Sequence, residues 1–412
     1  MVSTTRSLND VAAAGGDLWV VLWQALGDVW LWSDVPQDQR GELFGPSSRE
    51  ARERALRARR EVPQLTESLG TFHLLRSAPQ VLDAPQVAEA CARVARWAEE
   101  ESLIELAAYF AEGAAVVDPE DPARANEAAR LCRRASLNPR AVVWYERAFK
   151  LAVRAQSRRE IVGALLGYGA LLYGLGFYDR ARPYFERVAR FAVRTGRRRT
   201  AAEAHHDLMA VSADGGDLGQ AAEHARLAES YYPLHHPRLP YLVHDCAVLL
   251  VHLHHYTPAL PLVRRLPPYF PRPEEATLVW STAARAAGGA AQPALNQEAE
   301  RRTLELLALY EEHAAAALVS LSHGARALGD DARATRFAHL AVEIAKRRKE
   351  RGEVQRAREV LMQIERKEPA PEEAPAPEEL AALARRLAAR LRMWKRRDPQ
   401  APPALPGGDP PG

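Results

Sequence analysis

Apolar residues recur at spacings of three and four along nearly the whole chain, gathered into segments of roughly 12 to 18 residues. Gly-Asp, Asp-Pro and Pro-rich joints separate the segments, and Ala, Leu, Arg and Glu dominate within them. Alternation of the strand type is scarce. Joints this short between amphipathic helices make neighbours antiparallel. The pattern predicts an all-α chain built from helix pairs.

The pairs repeat. WYERAFKLA at 144–152 returns as YFERVARFA at 184–192, and Ala141, Ala181 and Ala221 follow one another at intervals of forty. In GALLYGLGFYDRARPYFERVARFA, Gly169 falls where two helices press together, and Gly176 sits at a helix end, where glycine tolerates positive φ. Tyr178, Ala181, Phe185 and Val188 then form one inward face. The next unit places Leu208, Gly216, Leu218, Ala221, Ala225 and Ala228 alike, and a fourth places Ala247, Tyr256, Ala259 and Val263. These positions resemble the tetratricopeptide repeat (TPR), a helix-turn-helix unit with small and aromatic residues at fixed offsets. The resemblance is best over 122–266 and resumes around Leu321, Ala334 and Ala341, then Gly352, Ala357 and Leu361. Between them, Ala294 or Ala299 takes the key alanine position. The resemblance implies a right-handed α-solenoid of six or seven antiparallel helix pairs. Each pair has a face it can bury only against the next.

Residues 1–80 lack the repeat and form a Trp-rich helical region, followed by the array at 81–366. In the apolar run from Leu18 to Trp32, Trp19, Trp23 and Trp30 share a stripe with Leu22 and Leu26 beside it. The stripe reads as a cap on the array, or as a partner-docking or membrane-interface helix. The run is too short to span a bilayer. Residues 367–378 are an acidic Pro/Ala linker, expected to be extended and mobile. It tethers an amphipathic basic helix at 379–398 and a disordered tail at 399–412. On that helix Leu387, Leu391 and Trp394 lie along one apolar stripe. It either folds back on the array, docks on another protein, or anchors on an anionic membrane or nucleic acid.

Charge narrows the choice. With 56 basic and 53 acidic residues, no global field draws the chain to nucleic acid. The basic runs RTGRRRT and KRRKER lack interleaved aromatics, so nucleic acid is not the favoured partner. Three dispersed cysteines and the absence of a secretory pattern fit a reducing cytoplasm.

For chemistry the chain offers little. It contains no P-loop, no GxSxG, no HExxH and no CxxC, so no cofactor and no catalytic residue is assigned. The resemblance implies a groove lined by first helices. Its register places there Asn126, Arg130 and Arg133; Leu166 and Tyr173; His206 and Asp207; and Tyr241, His244 and Asp245. A His-Asp dipeptide stands at matching sites of adjacent units, so two imidazoles and two carboxylates are expected to converge. Partner contact is the favoured reading of that cluster. A metal site or an acid-base pair is the sharper alternative, although helical metal pairs use a tighter spacing. The reading is a non-catalytic scaffold or sensor-adaptor for a protein or peptide, with self-association left open. The alternative is nucleic-acid or membrane association through the C-terminal helix, and a His/Asp metal enzyme stands third.

Overall fold

The computed structural model describes residues 8–393 apart from 46–48, 102, 310, 312 and 349. Among the described residues there are α-helices and short 3-10 turns but no strand. The chain divides into two compact units, Met1–Val188 and Ala189–Gly412.

Unit 1 contains α1 (Leu8–Asp34), α2 (Arg49–Glu61), α3 (Thr66–Ser77), α4 (Ala84–Glu100), α5 (Ile104–Val117), α6 (Pro122–Arg134), α7 (Asn138–Arg154) and α8 (Arg158–Gly174). Helix α9 (Tyr178–Arg194) begins in it and runs into the second unit. Helices α4 with α5 and α6 with α7 pack as pairs, and α1 lies against α2, α3 and α5. The stripe that α1 buries is Leu18, Leu22, Ala25, Leu26, Val29 and Trp32, which a helix of 3.6 residues per turn brings onto one face. Trp32 donates its indole N–H to the Pro79 carbonyl at 2.9 Å, and the Arg40 guanidinium lies 3.5 Å from its ring centre. Trp19 and Trp23 flank that stripe half-buried, and Trp30 is exposed. The expected tryptophan stripe is therefore the margin of the buried face, and the leucines are its centre.

Unit 2 contains α10 (Arg198–Asp214), α11 (Leu218–Tyr231), α12 (Leu239–His252), α13 (Tyr256–Val263), α14 (Pro273–Gly289), α15 (Pro293–Leu307), α16 (Ala314–Ala327), α17 (Asp331–Arg348), α18 (Arg351–Glu365) and α19 (Glu378–Met393). Helices α10 to α17 pack as successive pairs. Helix α14 also presses on α16, so closely that a Cβ added to Gly288 would lie 2.2 Å from the Gly324 carbonyl oxygen. Only two glycines permit that approach.

The register follows the small residues. The fourth residue of α7, α9, α11, α13 and α17 is Ala141, Ala181, Ala221, Ala259 and Ala334, and every one is fully buried. A Cβ on Gly169 would stand 2.8 Å from the Phe185 ring, the close contact the spacing predicts. Helix α15 breaks the rule. Its fourth residue is Asn296, whose buried amide donates to the Ala284 carbonyl at 2.8 Å. Ala294 is exposed and Ala299 is buried nearly one turn further on, so neither holds the key position. A polar side chain fits there because it satisfies a carbonyl of the first helix of its own pair.

The acidic linker is extended, but hydrogen bonds tie it to unit 2. The Ala374 N–H donates to the His254 carbonyl at 3.0 Å, and its oxygen pairs with His255 Nδ1 at 2.8 Å. Glu373 accepts from the Thr257 hydroxyl at 2.9 Å. Beyond it, α19 packs on α11, α12 and α13 and buries Leu383, Leu387 and Leu391. Arg390 donates to the backbone oxygens of Glu229 and Tyr232, each at 2.5 Å. The apolar stripe is thus enclosed by its own unit. Leu387 and Leu391 offer no surface to an outside protein, membrane or nucleic acid, and Trp394 and the tail lie outside the described residues.

Candidate partner-binding face

In unit 2 the first helix of each pair carries a row of polar side chains. Asp245 on α12 takes two contacts from imidazoles: His206 Nε2 on α10 at 2.8 Å and His244 Nδ1 at 3.3 Å. Since a carboxylate only accepts, each ring directs an N–H at it. The other nitrogen of His206 meets the Tyr232 hydroxyl at 3.3 Å, and that of His244 meets the Thr282 hydroxyl of α14 at 3.2 Å. Burial pushes the Asp245 carboxyl up, but hydrogen bonds from His206 and His244 outweigh it and hold the group well below its usual range. Asp245 therefore stays a carboxylate, and the row α10–α12–α14 is joined through charge-assisted bonds.

The expected convergence is three-quarters present. His206, His244 and Asp245 meet, whereas Asp207 turns to Arg238, whose guanidinium lies 2.9 Å from it. Among the described residues no group of three or more His, Cys, Asp or Glu side chains is arranged to hold a metal ion. His206 is itself buried and supports the row from beneath. Tyr241, by contrast, is 36% exposed, stacks edge-on against Phe270 with ring centres 5.0 Å apart, and donates to Glu275 at 3.0 Å. Partly exposed Ala210 and Val248 lie on the same faces of α10 and α12.

The candidates in unit 1 have different surroundings. The Asn126 amide donates to the Glu160 carbonyl at 3.0 Å and to its carboxylate at 2.8 Å. Arg130 forks onto Glu99 and Glu127 with contacts of 2.6 to 2.8 Å. Arg133 interacts with the Tyr145 hydroxyl. Leu166 and Tyr173 are half-buried, and the Tyr173 ring packs 5.8 Å from that of Tyr178.

Thr282, Tyr232 and Glu275 complete the unit 2 row, and the sequence reading missed all three. For Thr282 a signal existed: it follows His244 at the same interval of 38 that separates His244 from His206. Tyr232 carries no such mark, because it lies where α11 ends and enters the row from a second helix.

No protein-family profile matches the chain, and no curated protein matches it in sequence. Solved structures do. A Rap protein complexed with Competence and Sporulation Factor superposes with a TM-score of 0.52 at 13% identity, covering 80% of this chain and 98% of that one. The Rap conjugation gene regulator of the plasmid pLS20, in complex with the Phr* peptide, gives 0.48 at 14% identity over 78% of this chain and 97% of that one. The TPR domain of P58(IPK) gives 0.29 at 15% identity over 86% of this chain and 82% of that one. The first likeness concerns the fold, and it agrees with the buried alanine register. The chain is an all-α, TPR-like helical-repeat protein.

Proposed function

We propose that the chain is a non-catalytic scaffold or sensor-adaptor that holds a peptide or protein segment on the first-helix face of unit 2. The observation that carries this reading is the polar row His206–Asp245–His244–Thr282, fixed by hydrogen bonds across three first helices beside the exposed Tyr241. The buried His206 and Thr282 hold the row in place, so a bound segment meets Asp245 and Tyr241 already positioned and little order is lost on binding. An aromatic rim beside polar groups is the composition that binding surfaces favour. The Rap structure with the same fold was solved in complex with a factor, which supports the reading by analogy of fold.

The test uses a displayed library of random short peptides selected on the full chain. Tyr241→Ala and Val248→Asp should weaken selected peptides tenfold or more while the helical spectrum shows the chain still folded, since both side chains are partly exposed. Peptides that bind both variants as well as the parent would refute the placement.

A further inference from the structure

Helix α11 cannot finish its own hydrogen bonds. The last carbonyls of any helix lack intrahelical donors, and here the shortage begins a residue early. The amide that would bond the Glu229 carbonyl belongs to Pro233, which carries no N–H. The chain leaves the helix at Tyr232, whose N–H donates to the Ala228 carbonyl at 3.0 Å.

One side chain of α19 supplies what is missing. Arg390 places Nη1 2.5 Å from the Glu229 carbonyl oxygen and Nη2 2.5 Å from that of Tyr232. The same guanidinium pairs with the Glu229 carboxylate at 3.2 Å, and Arg386, one turn earlier, reaches its other oxygen at 3.3 Å. Arg390 and Glu229 are both largely buried, and a cation at this end of α11 complements the helix dipole. Arg390 is thus the C-terminal cap of α11.

Tyr232 faces two ways. Its carbonyl is held by Arg390, and its buried ring sets the hydroxyl 3.3 Å from His206 Nδ1. Nε2 of that imidazole gives its N–H to Asp245, so in the neutral ring Nδ1 is bare and accepts from the tyrosine. Burial pushes the Tyr232 hydroxyl up, which keeps its proton in place for that bond. Consecutive contacts therefore run from α19 to the carboxylate of the polar row, through Arg390, Tyr232, His206 and Asp245. The leucines of α19 bury its apolar face, and Arg390 is the side chain that joins it to the row.

We propose that Arg390 is a positioning residue for the polar row: by capping α11 it fixes Tyr232, and through Tyr232 the tautomer and orientation of His206. Docking of α19 and binding at the row are then coupled, and the coupling is reciprocal, so a peptide that prefers the fixed row also favours the docked helix. This inference rests on the reading of the row as the place where a segment binds.

The experiment first follows the ring nitrogens of His206 by NMR in the full chain with no ligand, at about pH 8, above the ordinary range of imidazole titration. Tyr232→Phe removes the hydroxyl and calibrates the resonance of an Nδ1 that has lost its donor. Arg390→Met, which keeps the length of the side chain without its N–H groups, should move His206 Nδ1 most of the way to that value. Arg390→Lys should restore part of the shift. Arg385→Met, at an exposed arginine of the same helix that pairs with Glu378, should leave the resonance in place. An arginine that only stabilised the fold would lower the melting temperature of Arg390→Met and leave His206 unmoved. That result overturns the proposal, whether or not amide exchange shows α19 still docked. An equal shift in Arg385→Met, or no shift in Tyr232→Phe, overturns it too. Peptides selected on the parent should then bind Arg390→Met about fivefold or more weakly and should slow exchange of the α19 amides in the parent. Unchanged affinity in Arg390→Met would sink the coupling and leave the peptide-binding reading intact. A library that yields no binder would remove that reading, and the His206 resonance would still decide whether Arg390 positions the row.

Discussion

Arg130 in unit 1 and Arg285 in unit 2 occupy the same kind of position, the accessible stripe of a first helix, and their surroundings are opposite. Burial disfavours the charge of Arg130, but Glu127 and Glu99 outweigh it and hold the guanidinium firmly protonated. Arg285 has no such partner and falls to about 10. The contrast extends beyond one residue. In unit 1 the buried carboxylate of Glu112 accepts from Arg140 and from the Trp144 indole, both at 2.8 Å, and Asn126 is closed onto Glu160. In unit 2 the polar row is built from histidines that share one carboxylate, and Arg285 has no carboxylate within ion-pair range among the described residues. A face that neutralises itself has little need of a ligand, whereas one that leaves a cation uncompensated gains when an anion arrives. Two units with the same helix packing thus differ in what their surfaces demand.

The largest test removes what is peculiar to unit 2. Deleting residues 377–412 strips Leu383, Leu387 and Leu391 from its core and uncovers α12 and α13. Burial of side chains of this size, less the ordering of the helix, predicts a loss of about 5 kcal/mol. Hydrogen exchange measured by mass spectrometry should show the loss in α11 to α13 and leave α4 to α7 protected. Equal protection of unit 2 with and without α19 would mean that the helix is an ornament.

Next come the glycines. Gly288→Ala drives a methyl into backbone, the Gly324 carbonyl, and should cost about 3 kcal/mol or more in denaturant unfolding. Gly169→Ala in unit 1 meets only the Phe185 ring, which can pivot, and should cost about 1 kcal/mol. Similar costs would show that α14 and α16 are not unusually close. In unit 1 the matching sensitivity is ionic. Glu112→Gln leaves Arg140 without its carboxylate, for a predicted loss of about 2 to 3 kcal/mol; Arg140 is part-exposed, so the penalty falls below that of a fully buried break.

How much of this contrast the sequence disclosed depends on which residues carried it. Ala141, Ala181 and Ala221 were readable because packing between helices demands a small side chain at a fixed interval, and periodicity preserves such demands. Asn296 was hidden, since a polar residue at a small site is acceptable only once its carbonyl partner is known. His206, His244 and Asp245 could be placed side by side from register alone, but the turn of Asp207 toward Arg238 required the loop at α12. The stripe on α19 was visible, and its destination was not: amphipathicity says that a face must be covered, without saying by what. Arg285 left no trace at all, because a missing partner is a property of three dimensions.

The units should also separate by pH. His205 and His236 are buried in unit 2, and each is lowered from 6.5 to about 4: His205 by burial and His224, His236 by burial, Arg199, Arg238 and His206. A histidine kept neutral by the fold contributes its full stability above pH 6.5. Below that the unfolded chain binds the proton first, and the contribution drains away until the folded value near 4 is reached. For the two together this amounts to about 2 kcal/mol, allowing for their partial contact with water. Unit 1 has a single histidine, His73, and its buried-side linkage runs through carboxylates. Burial raises Glu99, but Arg130 and Arg134 outweigh it and lower the group below 4.5, so that stability is present above 4.5 and is lost only as pH falls through the lowered value. Between pH 6.5 and 5, then, unit 2 should weaken while unit 1 holds. Exchange protection of the α10–α12 region against α5–α7, corrected for the intrinsic pH dependence of exchange, measures the difference. If both regions weaken in parallel over that interval, the histidines of unit 2 are not what sets its response to acid.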